Sequence, residues 1–234
     1  MRIALEPKFI IETAERLKRR VAERFPGSGL SRVADSVLEI AREADARSSE
    51  IAKPLIPLRV AAWLLGMVLA LGIGAAFMKV RVVGSIGNIA ELLQGADAAV
   101  NLVLLLGAAI VSVTKLEKAL RRKKALELVH ELKSLAHVVD MHQLTKDPET
   151  VSDDAPRTES SPTRTMTPFE LGRYLDYSSE MLSVLGKIAA IYAQRIDDPV
   201  VLEAIDGAED LTTGLSRKIW QKIAILSEHV KPGR

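Results

Sequence analysis

Residues 60–78 read VAAWLLGMVLALGIGAAFM, a stretch without a charged side chain, bracketed by Arg59 and Lys79. As a helix it spans roughly 28 Å at about 1.5 Å per residue, close to the hydrocarbon thickness of a bilayer. Trp63 lies near one end, where an amphipathic ring suits a membrane interface. A second uncharged run, AAVNLVLLLGAAIVSVT, follows at 98–114, with Asn101 as its one strongly polar member. The alternative, two buried helices of a soluble protein, needs more apolar partners than so small a chain supplies. The reading is therefore an all-α, two-span helical membrane protein. Neither run carries an acid or a base, which counts against a transporter or a proton relay.

The flanking charges give an orientation. Arg42, Arg47, Lys53 and Arg59 precede the first run, and Lys115, Lys118, Arg121, Arg122, Lys123 and Lys124 follow the second. The connector holds Lys79 and Arg81, offset by Glu91 and Asp97. The excess of basic residues on the cytoplasmic side then predicts an inner-membrane protein with both termini in the cytoplasm. Within the connector, Ile86, Ile89, Leu92 and Leu93 recur at helical spacing and predict a short amphipathic helix on the outer interface. The basic cluster at 115–124 reads either as a topogenic anchor or as a site for acidic lipid. Along the first run Ala62, Gly66, Ala70 and Gly74 recur every fourth residue. Such small residues allow close helix approach in lipid, against the second run or against another copy.

Before the membrane, two helices are expected. Pro7 suits a first turn, and Phe9, Ile10, Thr13, Leu17, Val21 and Phe25 form one face. PGSG at 26–29 breaks the pattern. Ser31 then caps a helix with Val33, Val37, Ile40 and Ala44 on its apolar line, and Pro54 and Pro57 end it. After the second run no breaker intervenes before Pro148, so one helix from about Ala98 to Thr145 is predicted. Residues 146–166 are rich in Ser, Thr, Pro and Asp and read as a flexible linker. Thr167-Pro168-Phe169-Glu170 opens a helix with a capping box, and Asp198-Pro199 opens the next. The apolar lines Leu171, Leu175, Ser178, Leu182, Leu185, Ala189, Tyr192, Ile196 and Val201, Ile205, Ala208, Thr212, Leu215, Ile219, Ile223, Leu226, Val230 are heptad-like. They predict a C-terminal antiparallel helical hairpin of coiled-coil type. The expected segments are 1–58 (cytoplasmic helices), 59–114 (two-span hairpin), 115–145 (cytoplasmic extension of the second span), 146–166 (linker) and 167–234 (hairpin).

Three of the four histidines, His130, His137 and His142, fall in VHELKSLAHVVDMHQLTKDP at 129–148. His130 and His137 share a face but stand roughly 10 Å apart along the axis, too far for one ion. His130-Glu131 begins like a zincin motif, yet Ser134 stands where the second histidine belongs. His137 with Asp140 is the one pair at metal-ligand spacing, a weak metal candidate. Leu128, Leu132, Leu135 and Val139 make a packing line, and His142 comes next on it. Because histidine changes charge near neutral pH, the three are also candidates for partner binding or pH sensing.

Composition removes other classes. The chain has no cysteine, so disulfides, thiolate catalysis, zinc ribbons and iron–sulfur clusters are excluded. A net charge of +2 and 4% aromatic residues give no nucleic-acid platform. No signal-peptide layout, phosphate loop or GxSxG is present, and no cofactor is implied. HELKSLAHVVDMHQLTKDP and DLTTGLSRKIWQKI are similar to segments of uncharacterised bacterial two-pass membrane proteins. The plan of two close spans with helices on both sides resembles the SLATT group of two-span proteins, and that resemblance implies a membrane effector in bacterial conflict.

Taken together, the expected function is a non-enzymatic membrane module. It meets membrane lipid, forms a homo-oligomer and presents a surface to a cytoplasmic protein partner, as anchor, sensor or gate. The alternatives are a pore-forming or membrane-disrupting effector, and a metal-dependent activity at the His137/Asp140 face.

Overall fold

The computed structural model describes residues 5–82, 89–148, 159 and 166–230. All regular structure among them is helical. The elements are α1 (Pro7–Arg24), α2 (Gly29–Ala52), α3 (Ile56–Val82), α4 (Ile89–Leu144), α5 (Pro168–Arg195) and α6 (Pro199–Val230). Most of the residues expected of the linker at 146–166, and residues 83–88 of the connector, lie outside the described set. The chain divides into two compact units: Lys53–Lys123, and Met1–Ala52 together with Lys124–Arg234.

In the first unit, α3 and α4 are both long and apolar enough to cross a membrane, and none of either apolar window is buried inside the protein. Trp63 is 80% exposed, Leu71 66% and Leu105 71%. A core helix of a soluble protein would have hidden such side chains, because each large apolar group left in water costs about 1.5–3 kcal/mol. Proline at the second position of α3 fixes a backbone angle that suits a first turn. Pro57 therefore helps start α3 rather than end α2. Helix α4 begins at Ile89, ahead of the expected Ala98, and takes in residues 89–97 of the connector, while α3 runs on through Val82. No proline interrupts 89–144, and Gly95 costs only about 1 kcal/mol in a helix that is otherwise well supported.

The second unit is a helical bundle with one core. Helix α1 packs on α2, α2 and α1 pack on α5, and α5 packs on α6. The C-terminal part of α4 contributes Ala125, Leu128, Val129, Leu132, Ala136 and Val139 to the same core. Gly172 faces Leu226, and Gly186 faces Thr212, so α5 and α6 pair in reverse order. The apolar line of α5 is buried, but so are Tyr174, Tyr177, Ser179, Met181, Val184, Ile188 and Ile191 beside it, so α5 is covered on more than the one expected face. Helix α6 departs from its own line only where Ile223 is partly exposed, among the residues described. Local chemistry sets the helix starts. Thr167 accepts from the Glu170 N–H, and Glu170 accepts from the Thr167 N–H at 2.8 Å, a complete capping box. The Thr167 N–H and the Thr167 hydroxyl both donate to Glu170 Oε2, and together they hold the Glu170 carboxyl below its usual range. Asp198 Oδ1 accepts from Val200 N and Val201 N at the start of α6.

Two readings of the N-terminal helices change. The α1 face is Ile10, Ala14, Leu17, Val21 and Phe25, while Phe9 and Thr13 are exposed. Thr13 instead donates back to the Phe9 carbonyl. The start of α2 is served by Ser28, whose Oγ accepts the Ser31 N–H at 3.2 Å, and Ser31 lies inside the helix. Gly27, at φ +68°, makes the turn that ends α1 and frees Ser28 for this role.

Charged clasps surround the core. Arg20 holds Glu180 through both terminal nitrogens at 2.7 and 3.1 Å and lies over the Tyr177 ring. Arg42 meets Glu15, Lys18 meets Asp35, Arg47 meets Glu131, and Arg195 meets Asp45. Exposed pairs of this kind contribute about 0–1 kcal/mol each and mainly set register. Tyr177 feels opposing effects. Burial raises its phenol, but Arg173, Arg24 and Arg20 outweigh that and hold it below its ordinary value.

Tyr192 is fully buried, and its hydroxyl has no hydrogen-bond partner among the described residues. Burial pushes this phenol from 10.0 up to about 12. The folded state thus holds the proton more tightly than the unfolded chain does. The resulting stability is complete below about pH 10 and is lost as pH rises through about 12. Thermal unfolding across that window checks this: Tyr192→Phe abolishes this group's share of the alkaline loss. At neutral pH the same change leaves stability equal or higher by about 1 kcal/mol, because an unsatisfied buried hydroxyl is removed.

Candidate functional site

The histidine segment forms the last turns of α4, and three other helices grip it. His142 is half-buried against the start of α2. A Cβ added at Gly29 would come within 2.4 Å of His142 Cε1 and 2.7 Å of Nδ1, so only glycine leaves room for the ring. Tyr174 of α5 donates its hydroxyl to the His142 carbonyl at 3.3 Å. Lys222 of α6 donates to the carbonyls of Gln143 and Lys146 at 3.0 and 3.4 Å. These are terminal carbonyls that a helix cannot satisfy by itself, and a cation at this end also meets the negative pole of the helix dipole. Burial lowers the Lys222 ammonium from its ordinary value, while the charges of Asp147 and Asp140 act in the opposite direction. Lys146 completes the grip by lying over the Tyr174 ring.

The other candidates divide. His130 and His137 are exposed. Asp140 Oδ1 accepts from Gln143 Nε2 at 2.6 Å, so its carboxylate already has a partner within its own helix. Among the described residues no group of three or more histidines and carboxylates is close enough to hold a metal ion. Along α3, a Cβ at Gly66 or Gly74 would meet nothing within 4 Å, whereas one at Gly72 would meet Leu102 Cδ2 of α4 at 3.2 Å. Position 72 is six residues from 66, about 120° around the helix. Gly66, Ala70 and Gly74 therefore stand about 120° or more from the α3–α4 contact at Gly72, whereas Ala62 is about 80° from it and, like Gly66, half-buried.

Within the basic cluster, Glu117 is buried. Its Oε1 accepts the Leu55 N–H at 3.1 Å, and Arg59 Nε lies 3.3 and 3.4 Å from its two oxygens. Glu117 thus pins the first turn of α3 to α4. Lys115, Lys118, Lys123 and Lys124 are exposed; Arg121 and Arg122 are half-buried.

Among the described residues, two clefts on the bundle bear on the site. One, of about 470 Å³, runs between α5 and α6 past Ser179, Gly186, Thr212, Ser216 and Trp220. The other, of about 270 Å³, lies between α1 and α5 and is lined mainly by apolar side chains, including Phe9 and Val184. Ser183 and Lys187 border both clefts, and Lys187 Nζ donates to Ser183 Oγ at 2.6 Å.

The seam position of His142 is legible in the sequence; the parts played by Gly29, Tyr174, Lys222 and Glu117 are not. Gly29 carries a faint signal, a glycine directly after a helix-capping serine. The other three act across the fold, and no local spacing marks them. No known protein family, curated protein or solved structure matches this chain.

Gly29→Ala lowers stability by about 1–3 kcal/mol, as overpacking does. Combining it with His142→Ala recovers part of that loss, and a double-mutant cycle in urea returns a coupling of about 1 kcal/mol or more. Additive effects would mean that the ring moves aside without cost.

Proposed function

We propose that this chain is a non-enzymatic, integral inner-membrane module. Helices α3 and α4 cross the bilayer, both termini lie in the cytoplasm, and the helical bundle with its C-terminal antiparallel hairpin presents a surface to a protein partner. The observation that carries this reading is that no residue of two long apolar windows is buried, in a protein that buries its other apolar faces well. Exposed apolar surface on this scale belongs against lipid. Orientation is supported by the basic residues at 42–59 and 115–124 against the sparse charge of the connector.

Self-association through Ala62, Gly66, Ala70 and Gly74 is supported by the open space at Gly66 and Gly74. In lipid, close backbone approach along such a stripe supplies the packing that the hydrophobic effect cannot.

In membranes washed with alkaline carbonate, the protein stays with the pellet; release to the supernatant would end this reading. In mild detergent it sediments as a defined oligomer, and Gly66→Leu with Gly74→Leu shifts it toward monomer at unchanged helical content. A wild-type monomer would remove the oligomer from the proposal.

A further inference from the structure

The run 115–124, KLEKALRRKK, holds six basic residues and a single acid, Glu117. Counted along the sequence, that acid dilutes the cluster. In the structure it does not, because Glu117 is 8% exposed and its carboxylate is taken by Arg59 and by the Leu55 N–H. Lys115, Lys118 and Lys123 fall within about 140° of arc, and Glu117 lies roughly 100–160° away from them. Lys115, Lys118 and Lys123 are exposed, and none of the three forms an ion pair among the described residues. The residues just before them, 98–114, are uncharged, with Leu104 64% and Leu105 71% exposed. An apolar wall that ends abruptly in uncompensated ammonium groups complements one kind of surface: a hydrocarbon layer edged by anionic phosphate. A dissolved anion would match the lysines but leave the wall in water.

We infer that Lys115, Lys118 and Lys123 form a site for acidic phospholipid headgroups, selective over zwitterionic ones. Glu117 is a positioning residue that keeps its own charge turned onto Arg59. The inference rests on the membrane reading above and adds a lipid class to it. Each basic residue near an acidic leaflet strengthens association about five-fold, so three give a preference of at least about ten-fold even after screening by salt.

The test uses the full-length chain with Trp220→Phe, which leaves Trp63 as the single tryptophan. Trp63 follows Arg59 by one turn of α3, and Arg59 touches Glu117 of α4, so its fluorescence samples lipid beside the site. The protein is reconstituted in phosphatidylcholine bilayers doped with brominated phosphatidylglycerol or, separately, with brominated phosphatidylcholine. Expected is quenching that reports at least about ten-fold preference for the anionic lipid. The preference falls to near unity in Lys115→Gln/Lys118→Gln/Lys123→Gln and persists in the corresponding triple arginine variant. Equal quenching by the two lipids overturns the lipid site and leaves the membrane reading standing. Quenching by neither overturns both. Loss of the preference with inorganic phosphate, but not with chloride at equal ionic strength, assigns the lysines to a free anion and also overturns the proposal.

Discussion

A single unbroken ladder of backbone hydrogen bonds runs from Ile89 to Leu144. The rest of the structure depends on that continuity. Along one helix the side-chain environment changes from exposed Leu104 and Leu105, through exposed lysines, to Leu132 and Val139 in a close-packed core. A helix satisfies its own backbone groups in any solvent, so such a change of surroundings leaves no amide along it unpaired. Its end is the exception. The last carbonyls need partners, and Tyr174 and Lys222 provide them from two other helices.

Much of this was legible in the residues. The two apolar runs were plain because absence of charge over a bilayer's length is a long-range signal that local context does not disturb. Helices α5 and α6 were plain because three agreeing devices mark their starts: Thr167 with Glu170, Asp198, and the prolines that follow each cap. The face of α1 was read a little off its true centre. Phe9 looks like a core residue by type, but Ala14, small and easily overlooked, is the one that lies against the neighbouring helices. The start of α2 slipped from Ser28 to Ser31 because both are serines near a glycine turn, and only the Gly27 conformation decides between them.

The candidate sites were harder to read for a physical reason. Spacing tells which side chains share a face, and this sufficed to set His142 apart from His130 and His137. It does not tell what faces that face. That α1 and α2 would join α5 and the end of α4 in one core is a tertiary fact. Its signature, Arg20 on Glu180 or Arg47 on Glu131, looks in sequence like ordinary surface charge. Glu117 shows the same limit from the other side. In a count of charges it subtracts one, whereas in the fold it is buried, bound and absent from the surface.

The clasp between Arg20 and Glu180 joins residues 160 positions apart, and that between Arg195 and Asp45 spans 150. Contacts so distant along the chain form late and slowly, since the loop must close before they contribute. During synthesis α1 and α2 emerge first, and both apolar helices must be made before α5 exists to cover them. Leu17, Val21, Val37 and Ala44 therefore wait uncovered on one side while the hydrophobic middle of the chain is handled. The order of the genetic message thus sets a hazard that the finished bundle no longer displays: a nascent chain stopped near residue 145 carries α1 and α2 without α5, the helix that packs on both.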